Sequence, residues 1–528
     1  MTFGRTHLRK PCNYADTVKR WLKRLGIVAA GILGLLLAFL AVEHVRGRWM
    51  LSRRISGLKS HGEILSVSAL EPKHPPADEN RAFALMALSN RFEAALTNSS
   101  AYPPSMRFTA PGRAMVTSRL KQWSFGGKTT FDWNDIKEEV ERVREVLIAL
   151  RSAAALPAYD SGFDYQKGFV DFQLGPVVMV KRAIQVLNCA AMYDLKQGQL
   201  DAAHINLCAL VKLAVNQKPE PLVICQLVRQ ACVAIAFNAT WQALQTPGWT
   251  DNQLAALQAA WGGCDLPGDM GRAFEMERAM GLDYYRQVKT SRETLNSVLE
   301  QREGAGWREL MGPFPTEGFW LHYLHVPVWR IAWIDQDELR DLERWQIMIE
   351  RERFARANSW SALPGRPAGG DPTESMPWII LFQDREKLGW YDRYRFLFSG
   401  GPFGITDAVA RKTLFLQTQQ QMVVTAIALT RYESRTGKLP ADLDALVPSF
   451  LPTLPKDWMD GKTLRYRARP EGGFVLYSAG EDGKDDGGDP VPRKPNTTHR
   501  QIWDGRDAVW PVAATAEEAE AAMKSVTE

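Results

Sequence analysis

The stretch from Leu25 to Val42, LGIVAAGILGLLLAFLAV, carries no charged side chain. A helix needs about 20 residues to cross the hydrocarbon core of a bilayer, and apolar runs of about 18 already qualify. Lipid offers the backbone no hydrogen-bonding partner, so a run that inserts there must be helical. Arg5, Arg9, Lys10, Lys19, Arg20, Lys23 and Arg24 precede it, and Arg46, Arg48, Arg53, Arg54 and Lys59 come after it. The shorter leading flank is the more basic, which favours a cytoplasmic N-terminus and an exported body. A cleaved signal peptide is the rival reading. Its apolar core would be shorter, about 7 to 15 residues, with a small-x-small cleavage site, and Ala38 to Glu43 offers no clean one. A buried core helix is the plainest alternative, against which the dense basic flanks argue.

The chain as a whole has the composition of a folded protein. Of the 528 residues, 45% are hydrophobic and 24% charged, which suits two to four globular domains. The 65 basic residues barely outnumber the 60 acidic ones, and the excess is used up around the anchor, so nucleic acid is not an expected partner. Cys12 precedes the anchor; Cys189, Cys208, Cys225, Cys232 and Cys264 lie beyond it. None makes a C-x-x-C pair, so neither a zinc site nor a redox motif is signalled. In apolar helical surroundings they read as small buried hydrophobes, although export would permit a disulfide.

The region after the anchor, from Val45 to about Asn80, reads as a juxtamembrane stalk. The stretch Asn98 to Gly127, with Pro103, Pro104 and Pro111, reads as surface loops. From Asp132, a candidate cap, Ile136, Val140, Val143, Leu147 and Leu150 recur at steps of four and three, an amphipathic helical stripe. Pro176 suits a first helical turn. A helix through Val180, Ile184, Leu187 and Ala191 then breaks at Gly198, and a second runs through Ala203, Leu207 and Leu210. Another pair comes next: Leu222 to Leu244, a break at Pro247-Gly248, and Asn252 to Trp261 capped by Thr250. Gly198, Leu200, Ala203 and Leu207 sit at tetratricopeptide-like spacings, but no 34-residue period repeats, and an ordinary helical bundle is the simpler expectation. Phe319, Trp320, Tyr323, Trp329 and Trp333 form an aromatic stretch suited to a seam between helices or to a lipid interface. The span Ala183 to Arg278, rich in alanine and leucine, resembles a family of uncharacterised bacterial exported proteins; no activity comes with that likeness.

The C-terminal fifth is more specific. A long helical stretch, Thr406 to Ser434, stops at Thr436-Gly437. Lys438-Leu439-Pro440 and Leu454-Pro455-Lys456-Asp457 come after it. Then come two short strands, Leu464 to Ala468 and Phe474 to Ser478, joined by a turn at Pro470 to Gly473. The second strand runs into an acidic, glycine-rich segment from Gly480 to Asp489, and Asp507-Ala508-Val509-Trp510 lies beyond. This order resembles the globular domain of the major pseudopilin of type II secretion, over about Thr406 to Pro511. Two departures stand out: more than 350 residues separate Val42 from Thr406, and no prepilin processing segment adjoins the anchor. A borrowed module is therefore expected, not a filament subunit.

The resemblance implies a calcium loop, with Asp482, Asp486 and Asp507 as side-chain ligands, Asp489 next and Ser478 after it. The residues themselves allow such a site. Calcium takes six to eight oxygen ligands, glycines let carbonyls turn inward, and clustered carboxylates repel unless neutralised. A solvated acidic turn is the competing reading.

The expected fold class is mainly α. The expected layout is a cytoplasmic basic segment at 1–24, a transmembrane anchor at 25–44 and a stalk and irregular or helical region at 45–130. A helical hairpin or bundle body occupies 131–400, a small pseudopilin-like α+β module 404–512 and a tail 513–528. H-E-x-x-H, G-x-S-x-G and P-loop signatures are lacking, and no metal triad completes His322 and His325. The first functional expectation is a single-pass scaffold in the bacterial inner membrane, body in the periplasm, binding envelope or secretion-related proteins. The alternative is an exported enzyme with its site in the helical body.

Overall fold

In a computed structural model, the described residues are 14–96, 105–117, 133–167, 174–215, 220–291, 293–295, 324–365, 388–399, 407–493 and 501–527. The fold is mainly helical, with two small sheets. The chain forms two compact units. One comprises residues 1–63, 284–343 and 381–403; the other comprises 64–283, 344–380 and 404–528.

The first unit is organised by a helix of 47 residues, Tyr14–Ser60. At 1.5 Å per residue it is about 70 Å long. From Val18 to Val42 its side chains are exposed, apart from the half-buried Leu40. A helix that is apolar all round and has no protein around it matches a membrane span, and this one is long and apolar enough to cross a bilayer. Past Val42 the pattern changes. Glu43, Gly47, Leu51 and Leu58 are buried, a stripe at steps of four and seven. Gly47 has to be small: a Cβ there would lie 2.8 Å from the Gln336 Cγ. The expected stalk is thus, up to Ser60, an unbroken continuation of the anchor helix.

The stripe meets the helices Val326–Ala332 and Ile334–Ala357. Arg54 forms a two-pronged bridge to Glu343 at 2.8 and 3.0 Å. Behind it, Tyr285, Trp329, Trp333, Ile334, Leu397 and Phe398 pack into a core that Leu40 also touches. The carboxylate of Asp337 is fully buried. It accepts hydrogen bonds from the Trp329 indole at 2.9 Å and from the backbone N–H groups of Phe398 at 2.8 Å and Ser399 at 2.9 Å. Trp329 and Trp333 are therefore core residues, the seam expected of the aromatic stretch. Phe319, Trp320, His322 and Tyr323 lie outside the described residues.

The second unit is built on helical hairpins. Gly175–Lys196 and Leu200–Val215 turn at Gly198, whose φ of 71° suits glycine. Val223–Leu244 comes next, then Asp251–Ala260, opened by a capping box between Thr250 and Gln253. Val223–Leu244 is also apolar enough to cross a membrane, but most of it is buried, so it is a core helix. Ala183, Ala191, Ala203 and Ala236 are buried and let the helices approach closely. The long helix Asp407–Thr436 lies in the same core through Met422, Val423, Ala426 and Leu429. Its Gln417 and Gln420 donate to the carbonyls of Cys264 and Trp261, at 3.0 and 3.1 Å.

Two local expectations are corrected. Part of the stretch read as surface loops is a hairpin, β1 (Ser105–Ala110) and β2 (Arg113–Thr117). Pro111 sits in its turn, while Pro103 and Pro104 lie outside the described residues. The helical stripe from Ile136 to Leu150 is two helices, Trp133–Arg142 and Arg144–Ala155, broken at Val143; Asp132 is likewise outside the described residues. The second sheet orders β3 (Arg465–Ala468), β4 (Phe474–Ser478) and β5 (Ala508–Val509), all antiparallel. Then β6 (Val512–Ala513) runs parallel to β2, so the chain end completes the early hairpin.

Candidate functional site: the acidic glycine loop and a buried carboxylate cluster

The loop grows from the end of β4. Gly480 and Gly488 adopt φ of 67° and 81°. A Cβ on Gly480 would collide with the Arg506 carbonyl, and one on Gly488 would press on the Tyr477 ring at 3.2 Å. These glycines let the loop fold over the segment that leads into β5. Asp507 is the last residue before that strand and is fully buried.

Asp507 is the loop's internal acceptor. Its Oδ2 receives the backbone N–H of Gly488 at 2.7 Å, and those of Asp486 and Asp489 at 3.1 Å each. Burial raises its pKa, while the same three N–H groups pull it back. Ser478, also buried, donates its hydroxyl to Asp457 at 2.8 Å. Asp457 in turn accepts the N–H of Met459 at 2.9 Å and of Ala479 at 3.0 Å, and the Arg465 guanidinium at 2.6 Å. Asp507 through its Oδ2 and Ser478 through its hydroxyl thus hold the frame of the loop.

The other three expected ligands lie on its rim. Asp482 accepts the N–H of Lys484 at 3.1 Å. Asp489 accepts the N–H of Val491 at 3.0 Å and faces Arg506 at 3.2 Å. Asp486 is exposed and is tied down through its backbone. Among the described residues, no three His, Cys, Asp or Glu side chains gather as a group that could hold a metal. Repulsion between the acids is met by arginines. Arg465 spans Asp457, Asp460 and Asp485, and Arg411 pairs with Glu481. Asp485 also accepts the Tyr477 hydroxyl at 3.0 Å and the Gly487 N–H at 3.0 Å, and its pKa is lowered by these bonds and by Arg465 against a desolvation cost.

A second cluster escaped sequence reasoning. Glu220 is buried, accepting the Tyr165 hydroxyl and the Ser161 backbone N–H. Burial raises its pKa against those two bonds. Next to it Asp160 takes His74 at 2.6 Å and the Gly162 N–H at 2.9 Å. The hydrogen bond to Asp160 raises the His74 pKa. Glu220, Tyr159, Arg229, Cys225 and Cys232 line a cavity with room for about one water, roughly 10 Å³ of space for its centre. Arg229 is buried and paired with Asp269. Burial pushes the Cys232 thiol up to about 12. The five described cysteines are free thiols; Cys12 is outside the described residues. These partners come from distant segments, and no spacing in the sequence announces them.

No family model, curated protein or solved structure matches this chain.

Proposed function

We propose that this protein is a single-pass scaffold of the bacterial inner membrane, held by residues 25–44, with a cytoplasmic N-terminus and a periplasmic body. That body presents its helical hairpins and its pseudopilin-like C-terminal module to envelope or secretion-related proteins. The carrying observation is the unbroken Tyr14–Ser60 helix, whose uncharged run from Leu25 to Val42 is exposed apart from Leu40 and whose stretch beyond Val42 buries one stripe against protein. Such a helix fixes the membrane-proximal unit at a set height above the bilayer, which suits a scaffold better than a flexible tether would. The test is fractionation of full-length protein. Resistance to alkaline extraction, lost on deleting residues 25–44, supports the anchor; release of the intact chain into the soluble fraction refutes it. Site-specific crosslinks from hairpin or module surfaces to a defined envelope protein support the scaffold role, and a body that crosslinks to nothing at every surface tested refutes it.

Calcium is a separable part of the proposal. Its support is the density of acids, with Asp482, Asp485, Asp486 and Asp489 inside eight residues, set among glycine turns. Ser478 is committed to Asp457 and Asp507 holds the loop frame through Oδ2, so Asp482, Asp486 and Asp489 on the rim, with the Oδ1 of Asp507, are the side chains that would hold the ion. A rise in melting temperature with calcium over EGTA, removed by Asp486→Ala, supports it; superimposable curves remove calcium from the account.

The alternative, an exported enzyme, has one observation in its favour, the His74–Asp160 pair beside Glu220. The cavity there admits water but no substrate-sized molecule, so the cluster is better read as a buried polar fastening.

A further inference from the structure

We infer that the membrane-proximal unit has a second seat in the bilayer: an apolar and aromatic patch formed by Leu324, Ile331, Trp390 and Tyr394 that rests in the lipid interface around the exit of the anchor helix. This rests on the anchor reading and extends it.

The height of the patch is set by contacts within the unit. Phe39 lies three residues before the end of the uncharged run, so it sits about 4.5 Å inside that end. The Tyr391 ring packs on it, with centroids 6.4 Å apart. Leu40 joins the same core as Tyr391 and Val328. One residue past the run, Glu43 is buried and accepts the Tyr391 hydroxyl and the Gln336 amide, each at 2.9 Å. The short helix Trp390–Arg395 therefore lies level with the last turn of the span, where hydrocarbon gives way to headgroups. The carbonyl of Ile331 meets the His44 imidazole at 2.7 Å, which puts that residue at the same level.

At this height the unit exposes what a protein in water would hide. Trp390 is 78% exposed, Ile331 59%, Tyr394 53% and Leu324 52%. Trp390, Tyr394 and Leu324 adjoin one another, and Ile331 lies at the same level beside His44. Trp390 and Tyr394 are one helical turn apart on the same face. Tyr394 packs edge-on against His325 at 5.4 Å, and Leu324 adjoins His325 in the chain. Tyrosine and tryptophan favour the headgroup boundary because one end of each ring system is apolar and the other is polar. Arg393 and Arg48, both exposed, add positive charge suited to lipid phosphates. Continuity with the span selects lipid as the occupant over a soluble partner.

The test uses full-length protein, alone, in lipid nanodiscs, with an environment-sensitive fluorescent amino acid at position 390, at position 35 in the span, or at Lys59, an exposed residue of the same helix about 25 Å past the end of the uncharged run. The probes are lipids bearing a nitroxide at headgroup level or deep in the acyl chain. Position 390 is expected to shift to the blue and lose most of its emission to the headgroup-level nitroxide, position 35 to respond to the deep one, and position 59 to neither. Quenching at 35 without quenching at 390 overturns the second seat and leaves the anchor standing. Quenching at neither overturns both. Equal quenching at 390 and 59 also overturns the seat, because the contact would not be specific to this patch.

Discussion

Replacing Asp507 with alanine removes the acceptor on which the glycine loop closes. Three backbone N–H groups, from residues 486, 488 and 489, lose a charged partner at 2.7 to 3.1 Å. A hydrogen bond to a charged group contributes about 1.5–3 kcal/mol, so a simple sum for three exceeds about 4.5 kcal/mol. The real cost is smaller. The loop rim is open to water, which rehydrates part of what is lost, the three bonds share one carboxylate and are not additive, and removing a buried acid recovers desolvation. About 3 kcal/mol is expected for Asp507→Ala, and roughly half for Asp507→Asn, which keeps one acceptor oxygen. Urea unfolding of the full-length protein measures the global effect. Amide exchange at residues 486, 488 and 489 measures the local one, and these amides should lose protection first. The loss should already be present in EGTA, because the bonds are internal to the chain and need no ion. Unchanged exchange at those amides, or a loss that appears only in the presence of calcium, would refute the reasoning.

Three further outcomes test the frame. Asp337→Ala leaves the Trp329 indole and the Phe398 and Ser399 amides without their buried acceptor; about 3–4 kcal/mol should be lost, read by faster amide exchange at 398 and 399. Thr250→Ala breaks the capping box of the helix Asp251–Ala260 and should cost about 1 kcal/mol in urea unfolding. Asp251 is held by hydrogen bonds from Arg431 and Arg435, which lower its pKa. Its contribution is therefore fully present above the unfolded pKa of about 3.9 and fades as pH falls through the lower folded value. The stability difference between wild type and Asp251→Asn, about 1 kcal/mol at pH 7 for so exposed a network, should close on acidification; a difference that widens contradicts the assignment.

Much of the fold is legible in the sequence because its signals are local. The long helix, expected from Thr406 to Ser434, is observed at Asp407–Thr436, and the strand Phe474–Ser478 is matched residue for residue. Thr250, Pro176 and Gly198 do what their chemistry suggests. The hairpin β1–β2 was illegible because its stabilising partner, β6, lies almost 400 residues downstream, and strand formation depends on such neighbours more than on propensity. The break at Val143 leaves no mark in the apolar period, which runs on across it. At the candidate site the acids were visible but not their direction. Composition cannot tell that Asp507 faces three N–H groups, nor that Arg465 bridges three carboxylates. The Glu220 cluster draws on residues 74 to 232 and is assembled only by tertiary packing.

The central claim is that one helix crosses the membrane and places the body on the exported side. Thiol labelling of intact spheroplasts with a membrane-impermeant maleimide tests it most directly, comparing native Cys12, ahead of the span, with Lys73→Cys, an exposed site beyond it, in a Cys12→Ser background, the partly exposed thiols of Cys208 and Cys264 being replaced by serine in both. The account predicts that position 73 labels at once and Cys12 only after permeabilisation. The reverse order, or immediate labelling at both, would contradict it.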